Sequence, residues 1–213
     1  MAEVTEIRES SIADPGPLGL AAFALTTFIL SMSNAHLVPK EFGALFVPLG
    51  LFYGGMCQVL AGMWEFKKNN TFGATAFTTY GAFWIALGTT VLLETLNILN
   101  FGAFGHEAIG LYLIAFTIFN TFMWIGTFRI SNALVAVFTS LEITFILLVF
   151  AEYGLISSVP GGVFGLITAA CAWYTSAAGI LNPLYGRSLL PTGPRGVTVH
   201  KETFTKAKSK KIS

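Results

Sequence analysis

Two polar side chains that need partners, Glu142 and Tyr80, stand inside long apolar segments of the chain. Glu142 lies in SLEITFILLVF, and the phenol of Tyr80 lies in ATAFTTYGAFW. If these segments cross a bilayer, an acidic residue near the centre costs roughly 2.5–3.5 kcal/mol. We therefore interpret Glu142 as either a proton site or a hydrogen-bonded strut. A buried phenol wants a hydrogen-bond partner, which a pathway lining or a neighbouring carbonyl would supply equally well to Tyr80.

Other hydroxyl and amide side chains in apolar segments are candidates for lining a pathway. Phe23 and Asn34 are eleven residues apart, and at about 100° per residue this spacing returns them to nearly the same face of a helix. Gln58 is an amide that has nowhere polar to point except a neighbouring helix or a pathway. The candidates for pathway lining are Thr26, Thr27, Asn34, Gln58 and Thr79.

Glycines surround Gln58 at a spacing of four residues. Gly50, Gly54 and Gly62 share with Gln58 one slowly drifting stripe of a helix. Small residues let helix backbones approach each other closely in lipid. The stripe therefore predicts close helix packing, with Gln58 as its polar addition.

The residue types that most enzymes and tight anion sites use are missing from the apolar segments. No segment contains Lys or Arg, no His/Cys/Asp/Glu cluster has metal spacing, and no nucleophile–base motif or phosphate loop stands out. The two cysteines, Cys57 and Cys171, are interpreted as buried small hydrophobes. We therefore expect that the protein is not an enzyme and that it binds no cofactor, metal or nucleic acid. An anion site without an Arg fork should be weak, which suits fast passage.

The composition explains where these side chains must sit. The chain has 213 residues, of which 54% are hydrophobic and 11% are charged, against roughly 25% charged in soluble domains. Each membrane helix needs about 20 apolar residues, and six stretches qualify. The predicted fold is therefore an all-α polytopic membrane protein with six transmembrane helices. The stretches are approximately 17–38, 43–65, 72–96, 108–128, 132–152 and 159–182.

Charge placement predicts the domain boundaries and the orientation in the membrane. Residues 1–14 form an acidic tail, 15–190 the transmembrane domain, and 191–213 a basic tail that we expect to be disordered. With six crossings, all 12 Lys and Arg residues except Lys40 lie on one side. Positive charge marks the cytoplasmic side, so both termini are predicted to be cytoplasmic. The residues on that side are Arg8, Lys67, Lys68, Arg129, Arg187, Arg195, Lys201, Lys206, Lys208, Lys210 and Lys211.

Three ordered blocks of sequence resemble the acetate uptake transporter family, also called the succinate–acetate permeases. The family signature Asn-Pro-x-Pro-Leu-Gly-Leu stands here as DPGPLGL, with Asp14 in place of the usual Asn. The resemblance continues through FYGGMCQVLAGMWEFKKNNTFGATAFTTYGAFW and returns at NPLYGRSLLPTGP. It implies a homohexamer with a separate pathway in each subunit. It also implies a narrow hydrophobic constriction at Phe23, Tyr80 and Leu141.

The resemblance and the residues together predict a multi-pass cell-membrane transporter of acetate and similar small monocarboxylates. Succinate is a further candidate substrate. Passage is either channel-like or coupled to protons. Two alternatives remain open: an exporter of ammonium or ammonia, and a membrane receptor or scaffold that senses acetate without moving it.

Overall fold

Six helical crossings form a single bundle in the computed structural model, which describes residues 12–195. All six are long and apolar enough to span a bilayer. The predicted tails, 1–14 and 191–213, lie mostly outside the described residues. The helices are α1 (Gly16–Asn34), α2 (Phe46–Leu51), α3 (Gln58–Lys67), α4 (Thr71–Thr95), α5 (Gly105–Thr127), α6 (Asn132–Glu152) and α7 (Val159–Tyr185).

The crossings follow the predicted apolar stretches closely, and the largest difference lies at the end of α1. This helix ends at Asn34 rather than at residue 38 because His36 adopts a left-handed backbone with φ of 56°. The remaining 19 residues span about 28 Å at 1.5 Å per residue. That length still matches the hydrocarbon core of a bilayer.

The second crossing, Lys40–Lys67, is a composite of four helical segments. A 3₁₀ segment (Lys40–Leu45) leads into α2, and a π-helical segment (Phe52–Cys57) joins α2 to α3. A Cβ atom at Gly55 would overlap the carbonyl oxygen of Gly50 and would lie 2.5 Å from Ile85 Cγ1. The π turn therefore depends on glycine at this position, because any larger residue meets the helix's own preceding turn and α4.

The glycine stripe of the second crossing packs against its neighbours, as the sequence predicts. A Cβ atom at Gly54 would lie 2.7 Å from Thr26 Cβ on α1, and one at Gly62 would lie 2.8 Å from the backbone nitrogen of Thr78 on α4. These close approaches fix the rotation of the composite crossing against both helices.

The start of α1 is held against α7. The Ser176 hydroxyl donates to the carbonyl oxygen of Pro17 at 2.7 Å, and a Cβ atom at Gly179 would lie 2.8 Å from Pro17 Cγ. Pro17 is tolerated there because the first turn of a helix has unpaired N–H groups in any case. The proline-rich entry is therefore a fixed anchor that sets the depth and rotation of α1.

The chain that follows α7 returns to the start of α6. Asn132 and Ala133 donate their backbone N–H groups to the carbonyls of Gly193 and Thr192 at 2.9 and 3.0 Å. The Tyr174 hydroxyl donates to the carbonyl oxygen of Pro191 at 2.9 Å. These contacts hold the segment that follows α7 against the start of α6.

Candidate functional site

Two cavities open at opposite ends of the bundle. The tail-side cavity has a volume of about 460 Å³ and lies where α1 begins and α7 ends. The opposite cavity has a volume of about 380 Å³ and reaches Asn34 at the far end of α1. Each is large enough for a small carboxylate and its water, and together they extend along most of the bundle.

Three residues line both cavities: Phe23 from α1, Tyr80 from α4 and Leu141 from α6. Their exposed fractions are 5%, 3% and 4%. These are the three residues that the family resemblance assigned to a constriction. The structure brings them together from three helices at the one level where the two cavities meet.

Aromatic rings close the junction between the cavities. The ring centroid of Tyr80 lies 5.9 Å from that of Phe23, 6.0 Å from that of Phe138 and 5.3 Å from that of Phe119. Tilted and edge-on arrangements at these distances are the favoured geometries of aromatic pairs. The junction is therefore a packed apolar plug rather than an open water-filled channel.

The hydroxyl of Tyr80 has a buried partner that the sequence analysis missed. It donates to Asn120 Oδ1 at 2.5 Å, and Asn120 is completely buried on α5. An amide within the apolar stretch FNTFMW was a detectable signal, of the same kind that singled out Gln58. The sequence does not show that Asn120 lies at the same depth in the bundle as Tyr80, which precedes it by forty residues.

Glu142 belongs to the same buried network and lines neither cavity. Asn120 Nδ2 donates to Glu142 Oε2 at 2.6 Å, and Thr121 Oγ1 lies 2.8 Å from Glu142 Oε1 and 2.9 Å from the carbonyl oxygen of Thr117. Glu142 is 9% exposed and its carboxylate contacts α5, whereas the preceding residue, Leu141, lines both cavities. This placement is that of a hydrogen-bonded strut.

The other predicted lining residues divide into two groups. Thr27 and Asn34 line the opposite cavity, and Gln58 lines the tail-side cavity. Thr26 and Thr79 line neither of them. Thr26 is fully buried, and its hydroxyl donates to the carbonyl oxygen of Ala22 at 3.1 Å, so it faces the packed glycine stripe instead.

Several buried polar atoms beside the cavities have no hydrogen-bond partner within residues 12–195. They are Gln58 Oε1 beside the tail-side cavity, and Thr27 Oγ1 and Trp84 Nε1 beside the opposite cavity. Buried polar groups are nearly always paired. Unpaired groups at these places are consistent with partners that come from the cavity, such as water or a polar solute.

The cavity mouths carry charged side chains that the apolar middle lacks. At the tail-side mouth, Lys68 Nζ lies 2.9 Å from Asp14 Oδ1, which also accepts from the backbone N–H of Gly16 at 3.1 Å. At the opposite mouth, His106 Nδ1 lies 2.8 Å from Glu152 Oε2. Residues 12–195 contain no group of three His, Cys, Asp or Glu side chains able to hold a metal ion.

Comparison with known proteins identifies relatives over nearly the whole chain. The sequence model of the GPR1/FUN34/yaaH family matches residues 1–191. The chain is similar to the succinate-acetate/proton symporter SatP of Escherichia coli (strain K12). The two are 37% identical over 186 residues, which is 86% of this chain and 97% of that protein.

A fungal relative and a solved structure extend the comparison. The chain is 38% identical to ammonia transport outward protein 2 of Saccharomyces cerevisiae over 176 residues, which is 79% of this chain and 61% of that protein. The solved structure of the bacterial acetate channel SatP matches with a TM-score of 0.80 and 36% identity. It covers 85% of this chain and 99% of the solved one.

Proposed function

The chain belongs to the GPR1/FUN34/yaaH family, and from this premise we propose that it transports acetate and similar small monocarboxylates across the cell membrane. It is a multi-pass membrane protein with six helical crossings. The observation that carries the proposal is the pair of cavities that meet at Phe23, Tyr80 and Leu141. Two cavities separated by one short apolar barrier give a small solute a path through the bundle.

The chemistry of the pathway favours small, singly charged or neutral acids. Within residues 12–195, neither cavity is lined by an Arg. In this part of the chain, Lys68 at the tail-side mouth is the one Lys that lines either cavity. A dianion such as succinate doubles the electrical cost of crossing, which is about 2.3 kcal/mol per charge per 100 mV. We therefore propose that monocarboxylates pass better than succinate.

Coupling to protons and channel-like passage are both compatible with this pathway. The bacterial relative named above is called a proton symporter, and the solved structure is called a channel. Near neutral pH a small carboxylic acid is almost entirely ionised, because model carboxyl groups titrate at roughly 4. Net uptake into a negative interior therefore needs a concentration gradient, metabolic trapping or a proton that travels with the carboxylate.

Uptake of labelled acetate into vesicles that contain the purified protein tests the proposal. We expect uptake well above that of protein-free vesicles, competition by other small monocarboxylates, and weaker competition by succinate. Absence of acetate flux in folded, reconstituted protein would contradict the proposed function. Flux that is unchanged when the pH gradient is collapsed at fixed voltage would exclude proton coupling.

Transport of ammonia is the second candidate, because one fungal relative carries that name. Uptake of labelled methylammonium, measured in the same vesicles as acetate uptake, separates the two functions. Binding of acetate without flux would instead support the sensing role. Against that role, the described loops between helices are too short to form a signalling domain.

The orientation and the assembly are further parts of the proposal. We propose that both termini are cytoplasmic, because Lys67, Lys68 and Arg129 lie at the tail-side end and Lys40 at the other. A single cysteine introduced near residue 12, in a background without Cys57 and Cys171, should react with an impermeant maleimide only after the cells are opened. Labelling of intact cells would contradict this orientation. We also propose that the protein forms a homohexamer, as the sequence resemblance implies.

A further inference from the structure

Tyr80 is the polar member of the three residues that line both cavities, but its proton is used elsewhere. A phenol has one O–H proton, and this one is donated to Asn120 Oδ1 at 2.5 Å. Asn120 is completely buried and lines neither cavity. The hydroxyl proton of Tyr80 is therefore directed into the protein and away from the space where the cavities meet.

Two acceptors fix the direction in which the Asn120 amide points. Its nitrogen donates to Glu142 Oε2 at 2.6 Å and to the carbonyl oxygen of Phe138 at 3.3 Å. Since a carboxylate and a carbonyl accept hydrogen bonds, the amide nitrogen must face them and the amide oxygen must face Tyr80. Glu142 thus sets the orientation of Asn120, and Asn120 sets the orientation of the Tyr80 proton.

Glu142 acts in this network through its acceptor capacity. Its Oε2 accepts from Asn120 Nδ2, and its Oε1 shares the single Thr121 hydroxyl proton with the carbonyl oxygen of Thr117. Within residues 12–195, no Lys, Arg or His side chain lies within ion-pair distance of Glu142; Lys68 pairs with Asp14, and His106 contacts Glu152. The titratable side chain that faces it is Tyr80 of α4, across Asn120, and no charged side chain of α5 or α7 forms an ion pair with it.

We propose that Asn120 and Glu142 are positioning residues that withdraw the Tyr80 proton from the pathway, so that the junction of the cavities favours a neutral carboxylic acid over its anion. The remaining groups at the junction, the ring of Phe23 and the side chain of Leu141, are apolar and donate nothing. A carboxylate that sheds water between Phe23, Tyr80 and Leu141 finds no donor among these three side chains to replace it. The protonated acid has no charge to desolvate and crosses more easily.

This inference rests on the proposed transport function and specifies the species that is transported. A neutral acid carries its own proton, so one proton moves with each carboxylate although no protein group is required to titrate. Flux measured at constant total acetate should fall about tenfold for each pH unit above the pKa of the acid, which is roughly 4 for a model carboxyl group.

The test replaces Asn120 by leucine, which has the same branching at Cγ and no hydrogen-bonding atoms in its side chain. In Asn120→Leu the Tyr80 hydroxyl loses its buried partner and becomes free to donate to a carboxylate. We expect acetate current across a voltage-clamped bilayer at pH 7.5 to rise about tenfold over the wild type, the effect of one charge-assisted hydrogen bond. The double variant Asn120→Leu/Tyr80→Phe lacks the hydroxyl and should lose that gain. An unchanged current in folded Asn120→Leu protein overturns the proposal.

Two conservative variants keep the proposal testable if Asn120→Leu does not fold. Glu142→Gln retains an acceptor for Asn120 and should keep the tenfold pH slope of tracer flux, measured after subtraction of the flux into protein-free vesicles. Loss of that slope would make Glu142 a proton carrier and would overturn the strut assignment. Tyr80→Phe should also keep the slope. A steeper slope in Tyr80→Phe would show that the hydroxyl donates to the anion in the wild type, which overturns the proposal.

The wild-type protein separates failure of this inference from failure of the proposed function. If reconstituted wild type carries no acetate at all, the transport function itself is wrong. If it carries acetate with a large current at pH 7.5 that Asn120→Leu, Glu142→Gln and Tyr80→Phe leave unchanged, transport stands and the role of Asn120 and Glu142 is wrong.

Discussion

Leu141 and Glu142 are neighbours in the chain but lie on different faces of α6. Leu141 lines both cavities, while Glu142 turns toward α5 and binds Asn120 and Thr121. Successive residues on a helix differ by about 100° in direction, which is why adjacent positions can take such different places. A residue that lines both cavities and a buried polar residue that lines neither are thus adjacent in the sequence.

Truncation of Leu141 should widen the junction of the cavities. We expect Leu141→Ala to raise uptake of lactate relative to acetate by about tenfold, within the range that a few methylene groups contribute to selectivity. Competitive uptake of the two labelled acids in vesicles measures this ratio. Leu111→Ala is the matched control, because Leu111 is 65% exposed on the outer face of α5. An unchanged lactate-to-acetate ratio in Leu141→Ala would remove this residue from the barrier.

Asp14 combines a structural and an electrostatic role at the tail-side mouth. Its carboxylate accepts from the backbone of Gly16 and pairs with Lys68. Asn at this position retains the first interaction and removes the charge. We expect Asp14→Asn to raise anion flux roughly twofold at low salt, and to have little effect at high salt, because exposed charges are screened.

The matched control for this substitution is Glu41→Gln. Glu41 is exposed, lines neither cavity and belongs to the 3₁₀ segment at the other end of the bundle. Initial uptake rates at two ionic strengths compare the variants. If both substitutions change flux equally, the effect of Asp14 does not come from its place at the mouth.

At the scale of elements, the composite second crossing is the least regular part of the bundle. Its π segment lies between two close contacts, Gly54 against Thr26 of α1 and Gly55 against Ile85 of α4. π turns inside α-helices often occur at functional sites. Here the segment leads directly into Gln58, which lines the tail-side cavity and whose amide oxygen has no hydrogen-bond partner within residues 12–195.

Alanine at Gly55 should destabilise this crossing. The added Cβ would overlap the carbonyl oxygen of Gly50 and contact Ile85, so we expect a loss of about 1–3 kcal/mol, as for other overpacked sites. Thermal unfolding in detergent measures the effect. Gly105→Ala is the control, because the nearest atom to its added Cβ is Glu94 Oε1 at 3.8 Å. Equal melting temperatures for the two variants would show that the π turn adapts to a side chain.

At the scale of the whole molecule, each chain contains a complete pair of cavities. The three residues that line both cavities come from α1, α4 and α6 of one chain. The outer face of α5 is strongly apolar, as expected for contact with lipid or with another subunit. It exposes Leu111, Ile118, Phe122 and Ile125. We therefore expect oligomer formation to stabilise the subunits without contributing residues to their pathways.

Mixed oligomers test whether the subunits act independently. We expect Leu141→Trp to block its own pathway, because a large ring replaces the smaller side chain at the junction. Flux from co-expressed wild-type and Leu141→Trp subunits should then fall in proportion to the wild-type fraction, as measured in purified oligomers of known composition. A much steeper fall would indicate that the subunits share a pathway or a gating step. Native mass spectrometry of the same samples tests the hexamer.

The sequence by itself determined the class of this protein, its six crossings, and Phe23, Tyr80 and Glu142 as residues of interest. Hydropathy and charge placement are local properties, and they survive in any arrangement of the helices. Only the tertiary structure decided that Leu141 lines both cavities while Glu142 lines neither, that Thr26 packs against Gly54, and that Asn120 accepts the hydrogen bond of Tyr80. Those contacts depend on the rotation and depth of each helix. Both are set by close packing between residues far apart in the chain, such as Pro17 with Gly179.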